Sequence, residues 1–368
     1  MKKALILTES TVYCDKGKFV AQGGGEMSMH LLAKGLLSLG LEVKVLGIRE
    51  YAVQKQSERI EGVDYCRFNV RSRTSFKLWS YLRSAIVESK NHDVVFVNQF
   101  TPHLVLRNLS GKRVAVVHDI YGSLKFWIDT YGLFRGVLGC FIERLQISMD
   151  NKYADRIMAV SSYGKQRLGK FLSKTSIDKV FVNSWPVVER VDEERARDII
   201  LFVGRFVSYK NPDQAVRAFA EIKKRHANLK MVMVCSRKEK AVMKMVRGLL
   251  EDLSLCSDEV EIVEGCDQER LRAYYARAKV LLHPSEVEGL GLVCLEALAC
   301  GVPVVAYDLP AYSGMLRDGE TGFLVKKGMV GDFVKASVEA LEKSWLVKLP
   351  ESFKRERFLE RLRVVVFE

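Results

Sequence analysis

Short apolar runs rich in valine and isoleucine alternate with longer amphipathic segments along almost the whole chain, and this alternation limits the possible folds more than any other feature. The short runs predict buried strands, and apolar residues at i, i+3 and i+4 between them predict helices. A first set of strands is predicted at residues 3–7, 42–48, 93–97, 113–117, 156–160 and 179–182, with helices at 27–39, 76–89 and 142–152. Alternating strands and helices favour a parallel sheet covered on both faces.

The same pattern restarts near residue 199. A second set of strands is predicted at 199–203, 230–234, 260–263, 280–282 and 303–306, with helices at 215–225, 242–253, 268–278 and 291–299. A polar segment at 183–198 separates the two sets, and 368 residues are enough for two domains. We therefore predict an α/β fold of two Rossmann-like domains facing a central cleft. The predicted domains are 1–185 and 186–345, followed by a helical tail at 346–368 that packs back on a lobe.

The composition is that of a globular protein with a basic surface. The chain is 48% hydrophobic, and its formal net charge of +13 favours anionic partners such as phosphorylated substrates, nucleic acid or an acidic membrane. The eight cysteines include no C-x-x-C pair and several lie in apolar runs, which indicates reduced thiols and a cytoplasmic chain. The first apolar run is too short for a signal peptide, and no run reaches the ~20 residues of a membrane-spanning helix.

Three glycines, Gly23, Gly24 and Gly25, follow the first predicted strand and open the first helix. Glycines there allow a ligand to approach the backbone, and a helix N-terminus favours an anion. The segment lacks the G-x-G-x-x-G spacing of a dinucleotide site, so a glycine-rich surface turn explains it equally well.

Two cations follow the first strand of the second set. Arg205 comes at the predicted strand end, where open α/β sheets bind ligands, and Lys210 follows after a short loop. An arginine and a lysine that converge there suit a diphosphate, although two solvated surface cations are an equal alternative.

The most specific motif joins a predicted strand, a loop and a helix in the second set. His283-Pro284-Ser285 ends the strand, Glu288 lies in the glycine-bearing loop, and Glu296 lies more than one turn into the helix that starts near Gly291. Two carboxylates so spaced can hold hydroxyl groups of one ligand, while the helix N-terminus between them faces its phosphates.

These segments resemble the retaining nucleotide-sugar glycosyltransferases of family 4, which have the GT-B fold. The run SEVEGLGLVCLEALACGVPVV carries the resemblance, and VGRFVSYKNP and the GGGE loop support it. The likeness is strongest over residues 199–325 and weaker over 1–190.

The resemblance implies a role for each matching residue. Arg205 and Lys210 would neutralise the donor diphosphate, Glu296 would bind ribose hydroxyls, and Glu288 would lie beside the donor sugar. His118, at the end of the predicted strand 113–117, would hold a hydroxyl of the donor or the acceptor. The remaining expected donor contacts are Gly23, Gly24, Gly25, Gly289, Leu290, Gly291 and Leu292.

The resemblance also implies transfer of a sugar to an acceptor hydroxyl with retention of anomeric configuration. The sequence has no D-x-D motif, so we expect no essential metal and no cofactor beyond the nucleotide-sugar co-substrate. Residues 183–186 (Asn-Ser-Trp-Pro) and 235–238 (Cys-Ser-Arg-Lys) depart from the family pattern near the expected base site, which leaves the donor base open.

The acceptor is expected to be a glycan or a lipid-linked sugar. Basic and aromatic residues mix at 71–83, 125–128 and 133–138, as in segments that lie on the anionic inner face of a membrane, although core-facing helices with basic flanks are an equal alternative. A sugar-nucleotide epimerase of the same architecture and a basic nucleic-acid-binding protein are the rival hypotheses. No nucleic acid is expected, because cations and aromatic residues form no recognisable module.

Overall fold

The computed structural model describes residues 1–15, 18–20, 24–49, 53–68, 75–99, 101, 103–118, 120, 124, 127–128, 132–172, 180–182 and 197–368. The chain divides into two compact units. The first comprises Met1–Phe19, Gly24–Trp185 and Arg355–Glu368, and the second comprises Val20–Gly23 and Pro186–Lys354. The predicted tail therefore divides, and its last fourteen residues belong to the first unit.

The first unit is built on an eight-stranded sheet in the order β10-β9-β8-β7-β1-β4-β6-β5. All neighbouring strands are parallel except β5 and β6, which form an antiparallel hairpin. Its strands, with the separate β2–β3 pair, are β1 (Lys3–Leu7), β2 (Tyr13–Asp15), β3 (Lys18–Val20), β4 (Glu42–Ile48), β5 (Ser57–Ile60), β6 (Val63–Phe68), β7 (Val94–Asn98), β8 (Lys112–Val117), β9 (Arg156–Ala159) and β10 (Val180–Val182).

Helices cover this sheet and are separated by the strands, as the apolar spacing predicts. They are α1 (Gly24–Ser38), α2 (Ser75–Ser89), α3 (Leu133–Tyr153) and α4 (Ser162–Leu168), with a 3-10 helix at His103–Asn108. The central strands contribute fully buried residues to the core because both faces of a parallel sheet are covered, as in β7, where all five residues are buried.

The second unit has a six-stranded, wholly parallel sheet in the order β13-β12-β11-β14-β15-β16. The strands are β11 (Ile199–Phe206), β12 (Lys230–Lys238), β13 (Val260–Glu264), β14 (Ala278–His283), β15 (Val304–Tyr307) and β16 (Gly322–Val325). The helices are α5 (Pro212–Arg225), α6 (Lys240–Asp252), α7 (Gln268–Arg277), α8 (Leu292–Ala299) and α9 (Val330–Glu342).

The last helix, α10 (Arg355–Phe367), packs on α1 of the first unit. Phe358 and Leu362 are buried, and a Cβ atom added to Gly35 of α1 would lie 2.5 Å from the Phe358 ring. Arg355 also donates a hydrogen bond to Ser38 Oγ at 2.9 Å. The close approach of the two helices therefore depends on the absence of a side chain at Gly35.

Strand order reverses once in each sheet. In the first unit the reversal lies between β1 and β7, and in the second between β11 and β14. Open α/β sheets bind ligands at the carboxyl ends of the strands beside such a point. Thr8 and Asn98 stand there in the first unit, and Arg205 and His283 stand there in the second.

The predicted fold class of two α/β units with parallel, Rossmann-like sheets is confirmed, and several boundaries differ. Strand β11 runs on past Gly204 to Phe206, and β12, predicted at 230–234, continues to Lys238, so residues 235–238 belong to the strand. Helix α3 begins at Leu133 rather than Ile142. The β5–β6 hairpin was not predicted. Gly23 and residues 125–126 and 183–186 lie outside the described residues.

No disulfide joins any of the eight cysteines, all of which lie within the described residues. Among the helices that the structure describes, none has the length and apolar character needed to cross a membrane.

Candidate active site

The carboxyl end of β11 is irregular where Arg205 lies. The register of β11 against β12 shifts between Gly204 and Phe206, which is the mark of a β-bulge. A bulge changes the direction of a side chain at the end of a strand. Arg205 is half-buried, and its guanidinium donates a hydrogen bond to the Tyr209 hydroxyl.

Tyr209 lies between the two predicted phosphate-binding cations. The Arg205 guanidinium carbon is 5.8 Å from the centroid of the Tyr209 ring, and Lys210 Nζ is 5.7 Å from the same centroid. A ring attracts cations to its face. Arg205 and Lys210 are therefore brought together around one aromatic side chain, although they come from a strand and a 3-10 turn.

Asn211 ties this loop to the loop that follows β14. Its backbone is left-handed, with φ 48° and ψ 52°, and Pro212 then starts α5. Its amide donates to Pro284 O at 2.9 Å and to the Glu286 carboxylate at 3.2 Å, while the Glu286 N–H donates to Tyr209 O at 2.9 Å. These bonds fix the position of Lys210 relative to Glu288.

Glu288 has two cationic or hydrogen-bonding neighbours. Lys210 Nζ donates to its Oε1 atom, and His283 Nε2 lies 2.7 Å from the same atom. Burial alone would raise the pKa of Glu288, but the Lys210 ammonium and the His283 hydrogen bond outweigh it and hold the pKa far below its ordinary value. Glu288 is therefore ionised, and it is paired with a cation predicted to bind the diphosphate.

Gly291 shapes the entry into α8. Its φ is +87°, and a Cβ atom added there would lie 2.8 Å from the Tyr312 ring, so both conformation and packing require glycine. Gly289, Leu290 and Gly291 lead into the first residue of α8, Leu292. The N–H groups of the first turn of a helix have no partners within the helix and favour an anion.

Glu296 lies on α8 in a different environment from Glu288. It is 8% exposed, and the Tyr275 hydroxyl of α7 donates to its Oε2 atom at 2.7 Å. Burial raises the pKa of Glu296 to about 7, and the Tyr275 hydrogen bond opposes that effect only in part. The two carboxylates, which were both predicted to contact the donor, therefore differ in charge near neutral pH.

His118 follows β8 in the first unit and belongs to a polar cluster at the carboxyl ends of the strands. Its Nε2 atom is 2.8 Å from Asn98 Oδ1, and Asn98 Nδ2 donates to Thr8 Oγ1 at 2.9 Å. Because the Asn98 oxygen must accept, His118 carries its proton on Nε2. Burial lowers the pKa of His118 to about 4, so the ring is neutral near neutral pH.

Two protein families match the chain. The family described as "Glycosyl transferases group 1" matches residues 187–358, and "Glycosyltransferase Family 4" matches residues 22–181. Between them the two matches cover most of both units.

The chain belongs to the family 4 glycosyltransferases with the GT-B fold.

Named relatives of this glycosyltransferase share only part of their length with it. It is 38% identical over 133 residues to a D-inositol 3-phosphate glycosyltransferase of Acidothermus cellulolyticus, which is 34% of this chain and 30% of that protein. The chain spans about a third of the length of the curated relatives it matches.

Solved structures match the glycosyltransferase over nearly all of its length. Sucrose-phosphate synthase from Thermosynechococcus elongatus has a TM-score of 0.73 at 19% identity, and the match covers 99% of this chain and 95% of that one. Anabaena Alr3699/HepE in complex with UDP and glucose has a TM-score of 0.69 at 14% identity, covering 100% and 95%. At such identities the likeness shows the fold.

The glycine loop of the glycosyltransferase lies in the first unit. Gly24 and Gly25 form the first two residues of α1. A Cβ atom on Gly25 would meet nothing within 4 Å, so packing within the protein does not require glycine at this position. The predicted ligand contact of the loop stays a prediction.

Three residues that contact the predicted site were not assigned roles from the sequence. His283 and Tyr275 hold Glu288 and Glu296, and Tyr209 lies between the two cations. Tyr209 directly precedes Lys210, and His283 ends the strand before the loop that carries Glu288, so their proximity in sequence to predicted site residues was the available signal. Tyr275 comes from another helix and had none.

The described part of the glycosyltransferase has no group of three or more His, Cys, Asp or Glu side chains that could hold a metal ion.

Proposed function

We propose that this chain transfers a glycosyl group from a nucleoside-diphosphate sugar to a hydroxyl group of a glycan or lipid-linked acceptor, with retention of anomeric configuration and without an essential metal. The proposal places the reaction in the cytoplasm. The ligands of the Anabaena structure, UDP and glucose, support a nucleotide-sugar donor.

The observation that carries the proposal is the cationic cluster around Tyr209. Arg205 and Lys210 both lie within 6 Å of its ring centroid, at the carboxyl end of a strand that flanks the reversal point of the sheet. A departing nucleoside diphosphate develops negative charge on its terminal phosphate. Fixed cations at that position stabilise the charge as it forms, which supports metal-independent cleavage of the glycosidic bond.

Glu288 and Glu296 suit different parts of the donor. Glu288 is ionised and lies against Lys210, so an incoming phosphate must compete with its carboxylate for the same ammonium group. Glu296 is buried, and its pKa of about 7 leaves it partly protonated near neutral pH. It can therefore accept hydrogen bonds from ribose hydroxyls or donate hydrogen bonds to them. In the proposed complex Lys210 turns to the diphosphate, and Glu288 becomes available to a sugar hydroxyl.

The first test is isothermal titration of the protein with UDP and with UDP-glucose in the presence of EDTA. Binding is expected for the wild type. Arg205→Ala and Lys210→Ala should each weaken it by about tenfold or more, because each removes a charge-assisted contact to phosphate. Arg247→Ala is the matched control, since Arg247 is an exposed cation of α6 in the same unit.

Absence of UDP binding in EDTA, followed by binding when Mg²⁺ is added, would contradict the metal-independent site. Equal binding by the wild type and by Arg205→Ala would contradict the assignment of the diphosphate to this cluster. The other nucleoside diphosphates form the second arm of the titration and identify the base.

A second test follows the reaction itself by proton NMR, with the donor identified above and a panel of glycan acceptors. Retention predicts a product whose anomeric coupling constant has the same axial or equatorial type as the donor. A product with the opposite type would contradict retention. Conversion of the donor to its epimer without transfer would instead support an epimerase.

A further inference from the structure

Helix α3 exposes an unusual number of large apolar side chains. Among the most exposed are Phe134 at 83%, Leu133 at 70% and Phe141 at 63%. Four further apolar residues of the same helix are more than 40% exposed: Val137, Leu138, Ile142 and Leu145. Single exposed apolar residues are ordinary, but a contiguous group on one helix marks an interaction surface.

These side chains occupy one side of the helix. Successive residues turn by about 100°, which places Phe134, Phe141 and Leu145 near the middle of the exposed side. Arg144 lies at one border of this apolar strip and Arg135 at the other, and both are exposed. We call the seven apolar residues with Arg135 and Arg144 the α3 surface.

The charges of α3 are divided between its two sides. Its two acidic residues, Glu143 and Asp150, are buried on the opposite side, where Asp150 pairs with His103. Its three cations, Arg135, Arg144 and Lys152, are all exposed. The exposed side of α3 therefore combines apolar side chains with positive charge alone.

The α3 surface belongs to a helix that is already fixed on its buried side. Gly136 and Gly139 leave space that Trp127 and Ile128 occupy, since a Cβ atom on Gly139 would lie 2.5 Å from the Trp127 ring. Gln146 also donates to Gln99 O at 3.0 Å. The buried contacts set which side of α3 faces outward.

We propose that the α3 surface is a membrane-docking face that lies in the headgroup region of an anionic lipid bilayer. Phe134, Phe141 and their apolar neighbours would enter the acyl boundary, and Arg135 and Arg144 would extend sideways to lipid phosphates. An apolar strip bordered by cations is the arrangement of helices that lie in the plane of a membrane. At 1.5 Å per residue the α3 surface, from Leu133 to Leu145, offers about 20 Å of length for this contact.

The charge distribution favours a lipid surface over a second copy of this chain. Two α3 surfaces facing each other would bring arginines together, and the exposed side of α3 has no carboxylate to pair with them. Anionic headgroups supply that missing negative charge, and the net charge of +13 adds to the attraction.

This conclusion refines the expectation from the sequence. The segment 133–138 is part of the α3 surface. In the basic-aromatic segment 71–83, Trp79 is 67% exposed and Arg83 is exposed, whereas Tyr81 is fully buried and donates to Thr8 O. Lys125 and Phe126 lie outside the described residues.

The test is flotation of the protein with vesicles of phosphatidylglycerol and phosphatidylcholine, compared with vesicles of phosphatidylcholine alone. Binding is expected to the anionic vesicles and to be weaker on neutral ones. The double variant Phe134→Ser/Phe141→Ser should lower the partition coefficient by at least about tenfold, because two exposed aromatic rings no longer enter the bilayer. Arg135→Gln/Arg144→Gln should lower binding to anionic vesicles and leave neutral binding nearly unchanged.

The matched control is Met245→Ser/Leu346→Ser, which removes two exposed apolar side chains of the second unit. It should float like the wild type. Failure of the wild type to bind anionic vesicles, or equal binding by the Phe134→Ser/Phe141→Ser variant, would overturn the proposal. A dimer that dissociates in that variant, without vesicle binding, would assign the surface to a second copy. Donor titration is independent of this assay, so the two proposals can fail separately.

Discussion

At the scale of single residues, Glu288 and Glu296 show how tertiary surroundings separate two like side chains. Both are glutamates of one loop-helix segment, and both are close to buried. Lys210 and His283 hold Glu288 in its charged form, whereas the Tyr275 hydroxyl and the Arg272 charge offset the burial of Glu296 only in part. The spacing of the two residues was readable from the sequence, but their charge was not, because the neighbours come from elsewhere in the chain.

The pKa of Glu296 predicts a pH-dependent contribution to stability. Its folded value of about 7 exceeds the ordinary value of 4.5, so between these values the folded protein holds a proton that the unfolded chain has released. The free energy of unfolding should therefore fall as pH rises through that window, and Glu296→Gln should remove this part of the slope. Urea unfolding at several pH values between about 4.5 and 8 measures it.

Glu339→Gln is the control, since Glu339 is an exposed glutamate of α9. It should unfold with the same pH slope as the wild type. An unchanged slope in Glu296→Gln would show that this carboxylate is charged in the folded protein throughout the range.

At the scale of elements, the turn into α8 depends on Gly291. Gly291→Ala should destabilise the protein by roughly 2 kcal/mol or more, because alanine is strained at φ +87° and its Cβ would meet Tyr312. Donor binding should weaken in the same variant, because the backbone before α8 shifts. Chemical denaturation and UDP titration measure the two effects.

Gly248→Ala is the paired prediction, for a glycine that neither the backbone conformation nor the packing requires. Gly248 lies within α6, has no positive φ, and a Cβ atom there would meet nothing within 4 Å. The substitution should stabilise the protein by about 0.5–1 kcal/mol, because alanine loses less freedom in a helix. If both substitutions changed the free energy of unfolding by the same amount and sign, the conclusion that position 291 requires glycine would be wrong.

Elements with a buried, regular pattern were the ones that the sequence predicted well. Strand β1 was predicted with both ends correct, and β14 within two residues, because a run of three or four successive apolar residues marks a strand buried on both faces. The sequence also located Arg205 and Lys210, since a strand end and the loop after it are visible in the pattern.

The β5–β6 hairpin and the first half of α3 were missed for different reasons. The hairpin turns at Glu61 and Gly62, both with positive φ, and Glu-Gly lacks the asparagine or aspartate that usually signals such a turn. In α3, apolar residues face outward and two glycines face Trp127, so the spacing does not describe a core-facing helix. Both elements depend on features that the local sequence pattern does not show.

At the scale of the whole molecule, the chain returns to its first unit after completing the second. Helix α10 follows Lys354 in sequence, yet it contributes Phe358, Leu362, Val365 and Val366 to the interior of the first unit. The first unit is therefore built from segments that lie before and after the second unit in the sequence.

A chain ending at Lys354 should have a destabilised first unit and a nearly unchanged second one. Four buried apolar side chains are lost, which amounts to a loss on the order of 5 kcal/mol. Hydrogen exchange should show lower protection in α1 and β1, and unchanged protection in β11 and β14. Equal loss of protection in both units would contradict this division.

The position of α10 also sets an order of events during synthesis. The second unit is complete once residue 354 has been made, whereas the sheet of the first unit, finished in sequence by residue 182, still lacks the helix that covers Gly35. At 5–20 residues per second, the ribosome needs roughly ten to thirty seconds to translate the intervening stretch. Throughout that interval the nascent first unit has an uncovered apolar groove beside α1, and it is a natural client for a chaperone.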